Sequence, residues 1–280
     1  MTLVNLVCGS VRRPRRSAAD ASALAIAAVV AFPLYWMVLS AVKPAGEIES
    51  TRPRPWTGSP TLDSFRRVFG QQEFGRYFLN SLVVADCVVV VSALIAFLAA
   101  TAVTRFRFRF RTMFLVAQMV PVEALTIPLF FLMRDLGQLN TLGSLILPHI
   151  AFSLPFAIWL LRGFVRALPE ALEEAAYLDG ASRARFLWQI LFPLVLPGLV
   201  ATSVFSFISA WNDFLFAKSF IISDTSQSTL PMALLVFYKP DEPDWGGVMA
   251  ASTVMTIPVL VFFVLVQRRL VSGLGGAVKD

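Results

Sequence analysis

Three acidic residues, Asp86, Glu123 and Asp213, lie inside long apolar stretches of the sequence. A carboxyl group is costly in a bilayer, so each is a candidate functional group that lines a polar pathway or carries a coupling ion. Asp213 follows Trp211 and Asn212. A carboxylate and an amide can exchange hydrogen bonds with sugar hydroxyls while an indole stacks on the ring, which makes these three residues a candidate lining of a sugar pathway. The alternative is an interfacial tryptophan whose neighbours mark the end of a membrane span.

A second group of acids lies in residues 162–190 and has the pattern of a short helix. Pro169 suits a first helical position, and Glu170 and Glu173 fall in the first turn, where the helix dipole favours negative charge. Gly180 supplies the stop expected just after a helix end. The helix also carries a shallow apolar face, formed by Ala171, Leu172, Ala175 and Ala176. Such a face lets a partner approach closely, and the alternative is an ordinary solvated connector.

The composition indicates that these residues belong to a membrane protein. Of the 280 residues, 57% are hydrophobic and only 15% are charged, and the mean hydropathy is +0.71. Soluble domains have about 25% charged residues, so too few charges remain here to cover a soluble protein of this size. The same composition excludes intrinsic disorder. The net charge of +6 therefore reports the placement of arginines around membrane spans rather than nucleic-acid binding.

Six stretches are apolar over about the 20 residues that a helix needs to cross the bilayer. They are Ala21–Val42, Tyr77–Thr104, Thr112–Met133, Leu142–Leu161, Leu191–Ala217 and Val248–Val266. Prolines in the third, fourth and fifth stretches predict kinks. The predicted fold is an all-α membrane protein with a tail over residues 1–20, a six-helix domain over 21–270 and a second tail over 271–280.

Basic residues predict that both termini lie in the cytoplasm, where short loops are enriched in lysine and arginine. The loop on the other side that contains Arg134 and Asp135 has no net charge. On this basis residues 162–190 are cytoplasmic too. The residues that set the orientation are Arg12, Arg13, Arg15, Arg16, Arg105, Arg107, Arg109, Arg111, Arg268, Arg269 and Lys279.

Common motifs of nucleotide and metal chemistry are absent from the sequence. No Gly-Lys dipeptide occurs, so there is no P-loop, and the single histidine, His149, cannot form a His-Glu-x-x-His zinc site. We expect His149 to be a hydrogen-bonded packing residue in the fourth span. Cys8 and Cys87 indicate neither a disulfide framework nor a metal site. A signal peptide is the alternative for the first span, but that run is long and ends without a small-x-small cleavage site.

Residues 174–197 resemble the EAA signature of ABC-importer permeases. Residues 174–181 read EAAYLDGA, and the signature continues with Phe186, Ile190, Pro193 and Pro197. The resemblance extends from about residue 21 to the end of the chain and is to the carbohydrate, MalG-like branch. Its other matches are Asn80-Ser81, Leu136-Gly137, Asn140-Thr141, Leu147-Pro148, Pro155–Trp159, Trp211–Phe214, Asp244–Gly246, Gln267–Arg269 and Gly276–Lys279.

The resemblance implies a type I ABC importer permease fold and a coupling helix that sits in a cleft of a separate ATPase subunit. Closure of the ATPase on ATP moves this helix and switches the permease between inward-facing and outward-facing states. ATP and Mg belong to that ATPase, and no cofactor or metal is expected on this chain. The C-terminal tail, which reaches toward the ATPase in the family, is one residue shorter here over residues 273–279. The coupling role is carried over to Glu173, Glu174, Ala175, Ala176, Asp179 and Gly180.

The implied protein is a permease subunit rather than an enzyme. It moves a sugar or related polyol compound across the bacterial inner membrane by alternating access, together with a second homologous permease, a dimeric cytoplasmic ATPase and an extracytoplasmic solute-binding protein. Asp86 and Glu123 then either bond polar groups between helices or line the cavity shared with the second permease.

Three alternatives stay open at this stage. One is an ABC permease for a glycerol-3-phosphate or glycerophosphodiester substrate. Another is an ion-coupled secondary transporter that uses one of the three intramembrane acids, although no internal repeat supports it. The third, an integral membrane enzyme, is disfavoured because the sequence shows no nucleophile–base pairing.

Overall fold

The computed structural model describes residues 14–71, 73–105, 120–238 and 241–274, in which all regular secondary structure is helical. Within these ranges, five helices are long and apolar enough to cross a membrane. They are α1 (Pro14–Ala41), α4 (Phe74–Arg105), α6 (Gly143–Ala167), α8 (Arg183–Trp211) and α11 (Trp245–Leu274).

Shorter helices connect the long ones. Of the predicted third span, the described part forms a 3₁₀ turn over Val122–Leu125 followed by α5 (Thr126–Asp135), and its beginning lies outside the described residues. The other short helices are α2 (Ala45–Ile48), α3 (Asp63–Gly70), α7 (Glu170–Leu178), α9 (Leu215–Phe220) and α10 (Leu230–Phe237).

Several residues used to predict the orientation also lie outside the described ranges. They include Arg12, Arg13, Arg107, Arg109, Arg111 and Lys279, together with most of both predicted tails.

The long helix α4 lies at the centre of the bundle and packs against both α6 and α8. Two buried clusters fill these contacts. One lies toward α7 and includes Phe97, Leu161 and Leu191, and the other lies toward the opposite end and includes Trp211 and Phe216. Helix α1 packs on α11 instead. The core therefore binds α7 and its flanking helices to one rigid central helix.

Helix α8 contains a π-helical segment over Phe186–Leu191. Pro193 follows this segment, and a proline ring clashes with the carbonyl group four residues earlier while supplying no N–H. The wider π turn moves that carbonyl group away from the proline ring, so that the helix continues instead of breaking. This local widening lies close to α7, and the predicted proline kinks stay a prediction.

The prediction of one continuous helix over Leu191–Ala217 is wrong at both ends. Helix α8 begins at Arg183 and ends at Trp211, and a separate helix, α9, follows. The carboxylate of Asp213 causes the break, because it accepts hydrogen bonds from the backbone N–H groups of Phe216 (3.2 Å) and Ala217 (3.1 Å). Aspartate competes with the helix backbone in this way and favours a new helix N-terminus.

Gly198 of α8 lies directly against the Phe164 ring of α6. A Cβ atom at this position would lie 2.5 Å from Cδ2 of the Phe164 ring. Gly163, on the neighbouring helix α6, has open space around the corresponding position. The absence of a side chain at residue 198 therefore allows the two helices to pack at the level of the cluster near α7.

We expect Gly198→Ala to destabilise the protein and Gly163→Ala to leave it unchanged or slightly more stable. Both changes gain helix propensity, but only the first forces an aromatic ring out of a packed core, at a cost of about 1–3 kcal/mol. Thermal unfolding of the purified chain in detergent measures the difference. Equal melting temperatures for the two variants would contradict the assigned packing.

Candidate functional site

Helix α7 is the short helix that the sequence predicts, except that it begins at Glu170 and Pro169 lies just before its first turn instead of at the first helical position. A glycine closes its C-terminus. Gly180 has φ +80, a left-handed conformation that favours glycine. Its N–H donates to the Tyr177 carbonyl (3.0 Å), and the Ala181 N–H donates to the Ala176 carbonyl (2.9 Å). This pair of bonds is the Schellman arrangement. The predicted stop at Gly180 is confirmed.

One face of α7 is packed on the start of α8. Ala176 is only 7% exposed and belongs to the same buried cluster as Phe186, the first residue of the π segment. The Tyr177 ring also contacts the Phe186 ring, with their centroids 5.8 Å apart. A side chain larger than that of alanine at residue 176 would push α7 away from α8, so the small residue is required for close docking.

An ion pair joins α7 to the end of α4. Arg105 Nε lies 2.8 Å from Glu173 Oε2, and the two side chains are 17% and 23% exposed. The Tyr177 hydroxyl donates a hydrogen bond to the other carboxylate oxygen of Glu173 (3.0 Å). Burial and this bond raise the pKa of the Tyr177 phenol, so the hydroxyl stays protonated and remains a donor. Glu173 is thereby held from two sides.

Sequence reasoning missed this ion pair. It treated Arg105 only as a basic residue that reports orientation, and Glu173 as a first-turn acid with a coupling role. The two residues are 68 positions apart, and no local spacing rule connects them. The sequence offered one signal. Arg105 directly follows a long apolar run, and Glu173 is a second acid in the same helical turn as Glu170.

The opposite face of α7 is exposed and contains apolar surface. Leu178 is 88% exposed, an unusual state for a leucine at the end of an ordered helix. Glu174, Ala175 and Asp179 are exposed on the same helix. An exposed apolar patch bordered by acids is typical of a protein–protein contact surface.

The structure places Trp211 in the core. The side chain is fully buried between the rings of Phe78 and Phe207, and its Nε1–H donates to the Met255 carbonyl (3.1 Å). This hydrogen bond ties α8 to α11. Asn212, the next residue, is exposed at the end of α8.

Asp213 lies close to His149 in the buried part of the bundle. The His149 ring is 5% exposed, its Nδ1 lies 2.8 Å from the Leu145 carbonyl oxygen, and its Nε2 lies 3.9 Å from Asp213 Oδ1. The edge of the ring contacts Phe216. The expectation that His149 is a hydrogen-bonded packing residue is confirmed.

The other two intramembrane acids of the sequence analysis are on the surface. Asp86 is exposed on α4, between the exposed side chains of Val83 and Val90. Glu123 is exposed in the 3₁₀ turn. The three acids thus lie apart, Asp86 on α4, Glu123 in the 3₁₀ turn and Asp213 between α8 and α9, and of these only Asp213 is enclosed by its neighbours.

A second charged anchor fastens the opposite end of the bundle. Arg67 of α3 binds both carboxylate oxygens of Asp244, at 2.9 and 3.0 Å, and the Gly247 N–H donates to Asp244 Oδ1 (2.9 Å). Partial burial alone would raise the pKa of Asp244, but the bonds from Arg67 and Gly247 outweigh it and hold the pKa below its ordinary value. This anchor joins α3 to the start of α11.

Comparison with known proteins identifies the family. Residues 90–275 match the binding-protein-dependent transport system inner membrane component family. The chain belongs to this family. The match covers the segment from the middle of α4 through α7 and α8 to the end of α11, and so includes the docked helix and both of its contacts. The family is one of transport components, not of enzymes.

Individual relatives match nearly the whole chain of this permease. It is 42% identical to the diacetylchitobiose uptake system permease protein DasC of Streptomyces coelicolor over 253 residues, covering 89% of this chain and 91% of the relative. It is 35% identical to the trehalose/maltose transport system permease protein MalG of Thermococcus litoralis, covering 92% and 94%.

A solved structure confirms the predicted fold class. A chain in the crystal structure of a bacterial ABC transporter involved in the import of the acidic polysaccharide alginate superimposes with a TM-score of 0.74. The match is 21% identical and covers 90% of the permease and 95% of that chain. The permease is therefore an all-helical membrane protein with an ABC importer permease fold, while the count of six spans and the orientation stay predictions.

We expect Glu173→Gln to loosen α7 and Glu170→Gln to leave it in place. The first change removes the negative charge that Arg105 faces. Because the Arg105 guanidinium is largely removed from water, leaving it without this partner lowers the stability of the contact by about 1–3 kcal/mol. The second changes an exposed acid of the same turn. Hydrogen exchange of the α7 amides measures the opening, and the charge swap Arg105→Glu with Glu173→Arg should restore part of the protection. Equal exchange in both single variants would argue against the ion pair.

The Asp244 anchor predicts a pH-dependent contribution to stability. Because the folded-state pKa is lowered, the contribution is present above the ordinary value of 3.8 and is lost as the pH falls through the lowered pKa. The difference in melting temperature between the wild-type protein and Asp244→Asn should therefore shrink below about pH 4. Asp241→Asn, at an exposed neighbouring acid, is the control. A pH-independent difference for Asp244→Asn would refute this electrostatic account.

Proposed function

We propose that the permease is one of two membrane subunits of a bacterial importer for a sugar or related polyol compound, driven by a separate cytoplasmic ATPase dimer. The observation that carries this proposal is α7, a short helix held on the bundle by one face and exposed by the other. ATP and Mg act in the partner, and this chain needs no cofactor for the role.

The exposed face of α7 supports docking to the ATPase. Leu178 and Ala175 provide apolar area without bulk, and Glu174 and Asp179 add negative charge at its border. A helix that enters a groove of a partner is recognised through such a mixed surface. The proposed coupling residues Glu173 and Ala176 do a different task, because they face the bundle instead of the partner.

The contacts of α7 explain how a movement of the ATPase would reach the membrane helices. A displacement of α7 acts on α4 through the Glu173–Arg105 pair and on α8 through Ala176 and Phe186. It acts on α6 through the short connection at Leu168 and Pro169. These are the three helices that pack around one another at the centre of the bundle, so the movement becomes a movement of the bundle.

Basic residues support a cytoplasmic position for α7. Arg105 ends α4, and Arg162 and Arg166 lie in the last turns of α6, so that three arginines gather at the end of the bundle where α7 lies. Short cytoplasmic loops are enriched in such residues. In this orientation both termini are cytoplasmic, and the protein lies in the inner membrane.

The surface position of Asp86 supports a second permease subunit. A carboxylate in the middle of an apolar helix is costly when it faces lipid. Contact with a related subunit, or with a water-filled cavity between the two subunits, removes this cost. Glu123 and Asn212 are exposed as well and remain candidates for the pathway. Asp213 then shapes the chain beside the pathway through its bonds to α9, and Trp211 holds α8 in position.

The relatives support a sugar as the substrate and an external binding protein as the donor. One relative is a diacetylchitobiose permease protein, and others are trehalose/maltose and trehalose permease proteins. A structurally similar chain belongs to a bacterial alginate ABC transporter in complex with an alginate pentasaccharide-bound periplasmic protein. We infer the same arrangement, with the binding protein at the end of the bundle opposite α7.

The test is a reconstituted complex that carries Gly180→Val and Glu174→Lys in this permease. We expect normal insertion and assembly but loss of the ATP hydrolysis and disaccharide uptake that the loaded binding protein stimulates. Gly137→Val with Asp135→Lys is the matched control, because Gly137 also has a left-handed backbone (φ +66) with open space around it, in a different loop. Backbone strain of about 1–3 kcal/mol is thus common to both variants.

Each part of the proposal has its own contradicting result. Intact stimulation in the Gly180→Val, Glu174→Lys variant, or equal losses in the control, would overturn the coupling role. Uptake that requires only a proton or sodium gradient would overturn the ATPase partner. Stimulation by glycerophosphodiesters but by no saccharide would overturn the sugar class and leave the coupling role intact.

A further inference from the structure

A cavity of about 430 Å³ lies between α4 and α6 at the α7 end of the bundle. Three of its lining side chains are arginines, and the coupling helix contributes a single glutamate to it. The cavity is lined by Thr104, Arg105, Arg162, Arg166, Leu168 and Glu170. We refer to it below as the arginine cavity.

The positive charge of the arginine cavity is only partly neutralised. Arg105 has Glu173 as an ion partner, whereas in the described ranges no carboxylate oxygen lies within 4 Å of Arg162 or Arg166. The Nε atom of Arg162 is buried without a hydrogen-bond partner. A buried donor without an acceptor costs free energy of about 1–3 kcal/mol, and more when it is charged. The described residues therefore leave the charges of Arg162 and Arg166 without a partner of opposite sign.

The spacing of Arg162 and Arg166 adds to the free-energy cost of leaving their charges without a partner. Arg162 and Arg166 are four residues apart on α6, so they lie on the same side of the helix and their like charges repel. An anion between them converts this repulsion into attraction. Guanidinium groups present several N–H donors in a plane, which matches the oxygens of a phosphate group better than those of any uncharged ligand.

The position of the cavity indicates which kind of molecule would supply a phosphate group to these arginines. The apolar stretch of α6 that is long enough to cross a membrane ends at Arg166, and that of α4 ends at Arg105. Basic residues at such ends lie at the level of the lipid headgroups. Trp159, one turn before Gly163 on α6, is 47% exposed, as is common for aromatic residues near the membrane interface. Basic pockets between membrane helices on the cytoplasmic side are known to hold anionic headgroups.

We propose that the arginine cavity binds the phosphate of an anionic phospholipid headgroup, with Arg162 and Arg166 as the main contacts and Arg105 as a third. Glu170 is the one negative charge in the cavity lining, against two arginines, Arg162 and Arg166, that have no carboxylate partner, and does not neutralise both. Because Arg105 both lines the cavity and pairs with Glu173, a phosphate bound there joins the lipid to the ion pair that holds α7. This inference stands independently of the substrate and of the proposed partners.

The test measures lipid binding by the full-length permease in detergent, using native mass spectrometry with added phosphatidylglycerol or phosphatidylcholine. We expect preferential retention of phosphatidylglycerol, weakened about tenfold or more in R162Q/R166Q, since each arginine near an anionic headgroup contributes roughly fivefold. R183Q/R185Q is the matched control, because these two arginines are exposed at the same end of the bundle but do not line the cavity. R162K/R166K should retain part of the preference.

The outcomes separate the sources of phosphate. Inorganic phosphate and glycerol 3-phosphate, added at millimolar concentration, should not displace the lipid. Displacement by either would show a site for free anions and overturn the lipid assignment. Equal binding of the two lipids, or equal losses in R162Q/R166Q and R183Q/R185Q, would overturn the cavity as the site. The melting temperature of each variant without added lipid shows whether the variant is folded, and R162K/R166K provides the measurement if R162Q/R166Q is not.

Discussion

The ion pair between Arg105 and Glu173 is the contact on which the account of this permease depends. It joins the last residue of the central helix to a nine-residue helix that is too short to be stable alone in water. A helix of that length keeps its place only through tertiary contacts, and here the charged contact, the buried Ala176 and the contact between the Tyr177 and Phe186 rings provide them. Because the pair is largely removed from water, solvent and salt screen it less than an exposed pair.

The helices around this contact must also transmit a displacement of α7 while they stay packed on one another. Close-packed cores are stiff and pass strain from one element to the next. The π segment before Pro193 lies in the part of α8 that α7 contacts, and the approach of α8 to α6 at Gly198 follows further along the same helix. A π turn has fewer regular hydrogen bonds than an α-helix and is frequent at functional sites. Next to α7, therefore, α8 is less regularly hydrogen-bonded than an α-helix, while further along it is closely packed on α6 at Gly198.

Sequence reasoning predicted those features that depend on local chemistry. The proline and glycine that border α7 and its first-turn acids act within a few residues, and the structure confirms that helix. The long apolar runs likewise predicted α1, α4, α6 and α11. The end of α8 was predicted wrongly because hydropathy continues past Trp211, whereas the Asp213 carboxylate captures two backbone N–H groups and starts a new helix. The Arg105–Glu173 pair and the buried position of Trp211 depend on contacts between distant segments, which one sequence does not specify.

The central claim is that α7 moves together with α4 and α8 when the ATPase closes. The most direct measurement is the separation of Arg105 and Glu173 in structures of the assembled transporter, trapped once without nucleotide and once with a bound ATP analogue. The account predicts that the ion pair and the burial of Ala176 persist in both states while the helices at the opposite end change their spacing. A broken ion pair, with α7 displaced relative to α4 in the ATP-analogue state, would contradict it.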